Sequence, residues 1–165
     1  MSMIGNFRRC EDSQIEELLK NPDTVTAVIY PEEEELAEDL ELDVDKAWQG
    51  IHFLLCDSPW EGEGPLSFIL NGGKEIGTVD VGYGPARSFN SLEVKEISQL
   101  LEGISVDDLA KKCNHDLFEE NGIYPSIWHE EFDDCFGYLL SYYEDLKEFL
   151  LKTAENNSGI LVYIN

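Results

Sequence analysis

From Phe132 to Leu150 the chain carries apolar side chains at helical spacing: Phe132, Cys135, Phe136, Leu139, Leu140, Tyr143, Leu146, Phe149 and Leu150. It then passes Gly159 into the run ILVYI. Steps of three and four residues place the first set on one broad face, which predicts a long helix from about Glu130 to Asn156. The second run has little polar relief and reads as a strand covered on both sides. A helical face this wide packs on a sheet, and a strand this apolar lies near the middle of one. The expected fold is therefore α/β. With 165 residues, 42% of them hydrophobic, the chain supports one core of ordinary size, so a single domain over residues 1–165 is expected.

The other elements are read from local chemistry. Met3 to Arg9 suits a first strand, and Ser13 with Glu16 has the spacing of a capping box for a helix through Lys20. Asn21 and Pro22 open a short helix with Val25, Val28 and Ile29 on one face, although TVTAVIY also has strand-favouring composition. Residues 32–45 are a run of carboxylates without a basic side chain, read as a solvated helix face. Asp43 is placed to cap a helix over Val44 to Cys56, with Val44, Trp48, Ile51 and Leu55 inward. Leu66 to Leu70 reads as a short helix stopped by Asn71, Gly72 and Gly73. Alternation predicts a strand from Ile76 to Val81 and an extended stretch near Arg87 to Phe89. Asn90 or Ser91 caps a helix whose apolar positions are Leu92, Ile97, Leu100 and Leu101; shorter helical segments follow at Ser105 to Lys112 and Asp116 to Glu120.

Charge narrows the partners. Eleven Lys and Arg against thirty-five Asp and Glu give a net charge of -24, a field that opposes phosphate backbones and anionic membranes and favours a basic protein. Neither nucleic acid nor membrane is expected as a partner. No apolar run approaches the roughly eighteen residues of a membrane span, and the start of the chain has no signal-peptide pattern. The four cysteines are scattered without CxxC spacing and sit in apolar patterns, as free thiols of a reducing compartment do. A cytoplasmic location is expected.

The search for reactive motifs is negative. GYG lacks dinucleotide-binding spacing, and no GK[ST], GxSxG, HExxH or calcium-loop pattern is present. The three histidines form no zinc pattern, so no metal, no cofactor and no catalytic residue is assigned. The informative run is Tyr83 to Arg87, YGPAR, a glycine and proline turn that delivers a cation into an acidic chain. With Trp48, His52, Tyr83, Tyr124 and Trp128, Arg87 makes up a candidate ligand pocket in which a guanidinium holds an acid and aromatics supply apolar surface. Two accounts of Arg87 stay open: it grips an anionic ligand, or it pairs with an Asp or Glu of the protein and locks the turn. His52 is either a proton donor in the pocket or a neutral histidine holding a carbonyl at the edge of the core.

The blocks MIGNF, LDVDKAWQGIHFLL, GYGPARSF, IYPSIW and LVYIN follow one another along the whole chain. In that order they resemble the bacterial YfbM-like family, a domain of unknown function. The resemblance implies a three-layer-like domain with helices around a central mixed sheet, a bacterial cytoplasmic setting and no established activity. Three functional classes follow: a small binding or interaction module first, then an acidic inhibitor or immunity-type protein that captures a basic partner, then a small-molecule enzyme with a pocket near Arg87 and His52.

Overall fold

The computed structural model describes residues 1–32 and 38–165. Among the described residues five strands form one sheet: β1 (Gly5–Cys10), β2 (Glu41–Asp43), β3 (Lys74–Glu75), β4 (Arg87–Phe89) and β5 (Gly159–Ile164), in the order β2-β1-β5-β4-β3. The ILVYI strand is thus central, as its composition predicts. Every pairing is antiparallel, which corrects the expectation of a mixed sheet while leaving the α/β single domain intact. The chain reaches each neighbouring strand by a return path, so no parallel crossover is required.

The register sorts side chains onto two faces. Leu42, Phe7, Val162 and Arg87 lie across from one another on adjacent strands. That row faces the larger core, with α3 (Trp48–Cys56), α4 (Ser91–Glu102) and α7 (Phe132–Glu155). Two short helices, α5 (Val106–Ala110) and α6 (His115–Glu120), add Leu109 and Phe118 to it. The next row, Glu41, Arg8, Leu161 and Ser88, points to the other side. There α1 (Asp12–Lys20) and α2 (Val25–Ile29) bury Ile15, Leu18, Val25 and Ile29 against Cys10, Leu161 and Tyr163. Helices on both faces give the three-layer arrangement. Arg8 is buried in this second layer and pairs with the Glu41 carboxylate directly across the strand boundary.

The long helix lies where its periodicity predicts, and Cys135, Phe136, Leu139, Tyr143, Leu146 and Leu150 are fully buried along it. Beside it, Phe118, Trp128 and Phe136 interlock with ring centroids 4.7 to 5.4 Å apart, separations at which aromatic pairs add to plain area burial. Gly159 opens β5 because nothing larger fits: a Cβ there would stand 2.3 Å from the Phe89 carbonyl oxygen and 2.6 Å from Ile15 Cδ1. The four cysteines are free thiols, and burial pushes Cys10 up to about 11.

Several local expectations give way to packing. The Ser13 and Glu16 box does not form; α1 begins at Asp12, which instead accepts from the Ser91 amide at 2.8 Å, fastening α1 to the start of α4. The acidic run is no continuous helix face: Glu41–Asp43 is an edge strand, and residues 33–37 lie outside the described structure. Asp43 does accept from the Asp45 amide, ahead of one tight turn at Asp45–Ala47, and α-helix starts only at Trp48. Pro65–Ser67 is a single 3-10 turn rather than a helix to Leu70. Ile76 to Val81 is not a strand, although Ile76 and Val81 are both buried. Alternation there marks two apolar anchors of a loop that turns at Gly77, φ 58°. On α4 the Asn90 capping box forms with Glu93, but Leu92 and Leu100 are exposed and Val94, Ile97 and Leu101 face the core.

Because Leu139 is fully buried in the larger core beside Gly50 of α3, Leu139→Ala is expected to lower unfolding free energy by about 2 to 5 kcal/mol. Urea titration measures it, and a loss below about 0.5 kcal/mol contradicts the packing described.

Candidate functional site

The outer end of the larger face holds an open cleft of about 390 Å³. Its floor is built from the sheet and α3: Val162 and Ile164 project from β5, Ile69 comes from the turn after Pro65, and Trp48 stands at the first position of α3. The Trp48 indole N–H donates to the Met3 carbonyl at 2.9 Å, which fixes the ring. Trp60, from the Ser58 to Gly64 loop, lies 6.1 Å from Trp48 at 49° between planes. Tyr124 packs on Trp48 at 5.7 Å, and its hydroxyl accepts from the Met3 amide at 3.1 Å.

The YGPAR turn makes another wall. One Asp80 carboxylate oxygen accepts from the amides of Gly82 and Gly84, at 2.9 and 3.0 Å, and so clasps the residues on either side of Tyr83. These amides hold the Asp80 carboxyl below the usual carboxylate range. The Tyr83 amide donates to the Ile164 carbonyl at 3.0 Å, joining the turn to the end of β5. Glycine is required at Gly82, where φ is 151° and a Cβ would meet the Ile164 carbonyl oxygen at 2.7 Å. Trp60 and Tyr83 keep 59% and 48% of their surface in water, whereas Trp48 is buried.

Arg87 lines the cleft, but its guanidinium is occupied. Nη1 donates to the carbonyls of Asn71 (2.6 Å) and Gly72 (3.1 Å), and Nη2 to those of Phe68 (2.9 Å) and Ile69 (2.5 Å). Four of its five N–H donors are used on one irregular turn whose carbonyls lack helical partners. No ion pair among the described residues includes Arg87; the expected acidic partner is replaced by backbone oxygens. Burial pulls its pKa down to about 10, with the Glu75 charge opposing. The guanidinium also lies 5.6 Å from the centre of the Phe89 ring. Arg87 is the staple between β4 and the 68–72 turn.

The remaining candidates separate. Trp48, Tyr83 and Arg87 line the cleft, and Tyr124 supports Trp48 from the adjoining loop. His52 is fully buried on α3, outside the cleft lining, with Nε2 3.0 Å from the Glu61 carbonyl oxygen. Burial moves its pKa downward, so the ring is neutral and donates. Its Nδ1 has no hydrogen-bond partner among the described residues. Trp128 belongs to the core: its N–H donates to the Ile123 carbonyl at 2.6 Å and its ring stacks on Phe136. Neither is a cleft residue: α3 turns His52 into the core, and the 121–130 turns bury Trp128 against Phe118 and Phe136.

Trp60 was missed. Its signal was available in SPWEGEG, where a tryptophan sits in a proline and glycine loop with no helical or strand period to bury it. Elsewhere, His115 Nδ1 lies 2.6 Å from the Trp128 carbonyl oxygen, and among the described residues no three His, Cys, Asp or Glu side chains converge on a metal position.

Residues 1–163 match the family described as a domain of unknown function, DUF1877. The chain belongs to that family. The resemblance carried by the DKAW and GYGPAR blocks is borne out, and a crystal structure of a protein of unknown function, YfbM from Escherichia coli, shares the fold. It has a TM-score of 0.71 at 22% identity, covering 98% of this chain and 99% of that one. No curated protein matches the chain. Among the described residues no helix is long and apolar enough to cross a membrane.

Two outcomes test the site's construction. Arg87→Lys is expected to lower the melting temperature by several degrees, because one ammonium cannot reach four carbonyls placed for a planar fork; an unchanged scan removes the staple. His52 supplies a pH test. Its folded pKa lies below the unfolded value near 6.5, so the unfolded chain binds more protons and stability falls as pH drops through about 6.5. His52→Gln is expected to flatten that part of the stability profile measured by urea unfolding between about pH 7.5 and 5; an identical slope in both proteins contradicts a neutral buried ring.

Proposed function

We propose that this chain is a small cytoplasmic binding module and that the cleft between Trp60 and Tyr83 is where it binds. The observation that carries the reading is the pairing of two largely exposed aromatic side chains over an apolar floor. Large apolar surface left in water at a concave site is a cost that contact with a ligand removes. Tryptophan and tyrosine are also the side chains that most often dominate binding energy.

The polar groups favour binding over catalysis. Arg87 has spent four donors on carbonyls, and His52, the expected acid or base, lies buried away from the cleft wall. Among the described residues no nucleophile with an adjacent base lines the cleft, the arrangement that covalent catalysis uses. The net charge of -24 weighs against nucleic acid as the occupant.

A screen of metabolites and short peptides by amide chemical shifts tests the reading. Ligands are expected to perturb Trp60, Tyr83 and Ile164 together, and Trp60→Ala is expected to weaken them at least tenfold with the fold preserved, as truncation of a binding hot spot does. Ligands indifferent to Trp60, or multiple turnover of a screened compound, overturn it.

A further inference from the structure

Arg87 is the one charged side chain that lines the cleft among the described residues, and no carboxylate lies beside it there. Its four bonds to the 68–72 turn go to carbonyls, which satisfy donors without cancelling charge. Even with its pKa pulled down to about 10, the guanidinium is a cation at neutral pH. Glu75 stands opposite it on β3, exposed to water, and the two form no ion pair. The fifth donor, Nε–H, has no acceptor among the described residues and is not sealed from solvent. A shielded charge is as a rule paired; here one positive charge and one donor are left over.

The same side chain is tied to both aromatic walls. The Asn71 carbonyl accepts from Arg87 Nη1 at 2.6 Å, and the Asn71 side chain donates to the Trp60 carbonyl at 3.0 Å. Tyr83 lies in the turn that leads into Arg87.

We infer that this cleft takes a small carboxylic acid with an apolar body, its carboxylate against Arg87 and accepting from Nε–H, its body over Val162 and Ile164 between Trp60 and Tyr83. The inference rests on the binding reading above and adds the class of ligand. A bond between two charged groups is stronger than one between neutral groups, and the aliphatic floor and exposed rings reward apolar surface. At about 390 Å³ the cleft falls among small-molecule sites, which run from roughly 300 to 1,000 Å³. A cationic ligand meets repulsion from the charge in the lining. The net charge of -24 limits the ligand to few negative charges, since its repulsion grows with each one, so one carboxylate suits the site and a polyphosphate does not. That repulsion is screened beyond roughly 8 Å in physiological salt, whereas Arg87 acts at contact.

The test uses the whole chain and four probes, titrated by chemical shifts of the backbone amides and of the arginine Nε–H groups: 3-phenylpropionate, 3-phenylpropionamide, acetate, and acetyl-Gly-Gly-phenylalanine with a free C-terminus. The amide keeps the body of the acid without its charge, acetate keeps the charge without the body, and the peptide offers the same acid as a chain end. 3-Phenylpropionate is expected to bind at least tenfold more tightly than the amide or acetate and no more than tenfold more weakly than the peptide. It is expected to shift the Arg87 Nε–H signal, and Trp60→Ala is expected to weaken it at least tenfold. If the amide binds as well as the acid and depends on Trp60, the cleft remains a binding site and the anionic ligand is wrong. Acetate matching the acid, or an Nε–H signal that stays still while the acid binds, overturns the proposed seating. A peptide more than tenfold tighter than the acid makes the ligand a protein chain end and overturns the small molecule. If no probe shows Trp60-dependent binding, the inference fails, while the screen for other ligands still judges the cleft on its own.

Discussion

The structure depends on burying β5. This strand pairs with β1 on one side and β4 on the other, so every edge of its backbone is hydrogen bonded, and both of its faces are covered by side chains from different layers. Val162 and Ile160 look toward α7 and α4, and Leu161 and Tyr163 toward α1 and α2. Both cores therefore close on one six-residue strand. Gly159 shows how tight the closure is, since the strand starts at a point where Phe89 backbone and an Ile15 methyl leave no room for a Cβ.

The cleft is a by-product of that closure. Beyond β4 the larger face is completed not by a helix but by the 68–72 turn, the Trp60 loop and the YGPAR turn. Irregular backbone at such a place leaves carbonyls without partners, and Arg87 answers four of them. Asp80 does the same for amides across the cleft. Side chains of each sign thus stabilise loops of opposite polarity, and what lies between them is left apolar and open. The open surface here lies where regular structure stops, as it commonly does when a rigid sheet carries loops.

What could be read in advance follows a physical line. The long helix and the central strand were readable because many side chains agree on one period, so that no single contact can override them. Short elements were less so: Ile76 to Val81 alternates like a strand, yet two buried side chains and a glycine turn give the same pattern. On α4 the leucines Leu92 and Leu100 look like core, but the helix turns Val94, Ile97 and Leu101 inward, because the Asn90 cap and the Ser91 bond to Asp12 set its rotation. At the site, Tyr83 and Arg87 belong to a turn motif whose backbone geometry is local, and Trp48 to the periodic face of a helix. Trp60 comes from a distant loop, and no spacing in the sequence ties it to Tyr83. The choice of carbonyls over a carboxylate for Arg87 depends on a turn sixteen residues away, which composition does not reveal.

That choice has a consequence for how the cleft behaves in acid. Backbone carbonyls do not titrate, so the brace around Arg87 keeps its strength at acidities that discharge carboxylates. The brace at the base of the cleft thus rests on groups that acid leaves alone, and what acidification changes is the long-range charge of the chain around it.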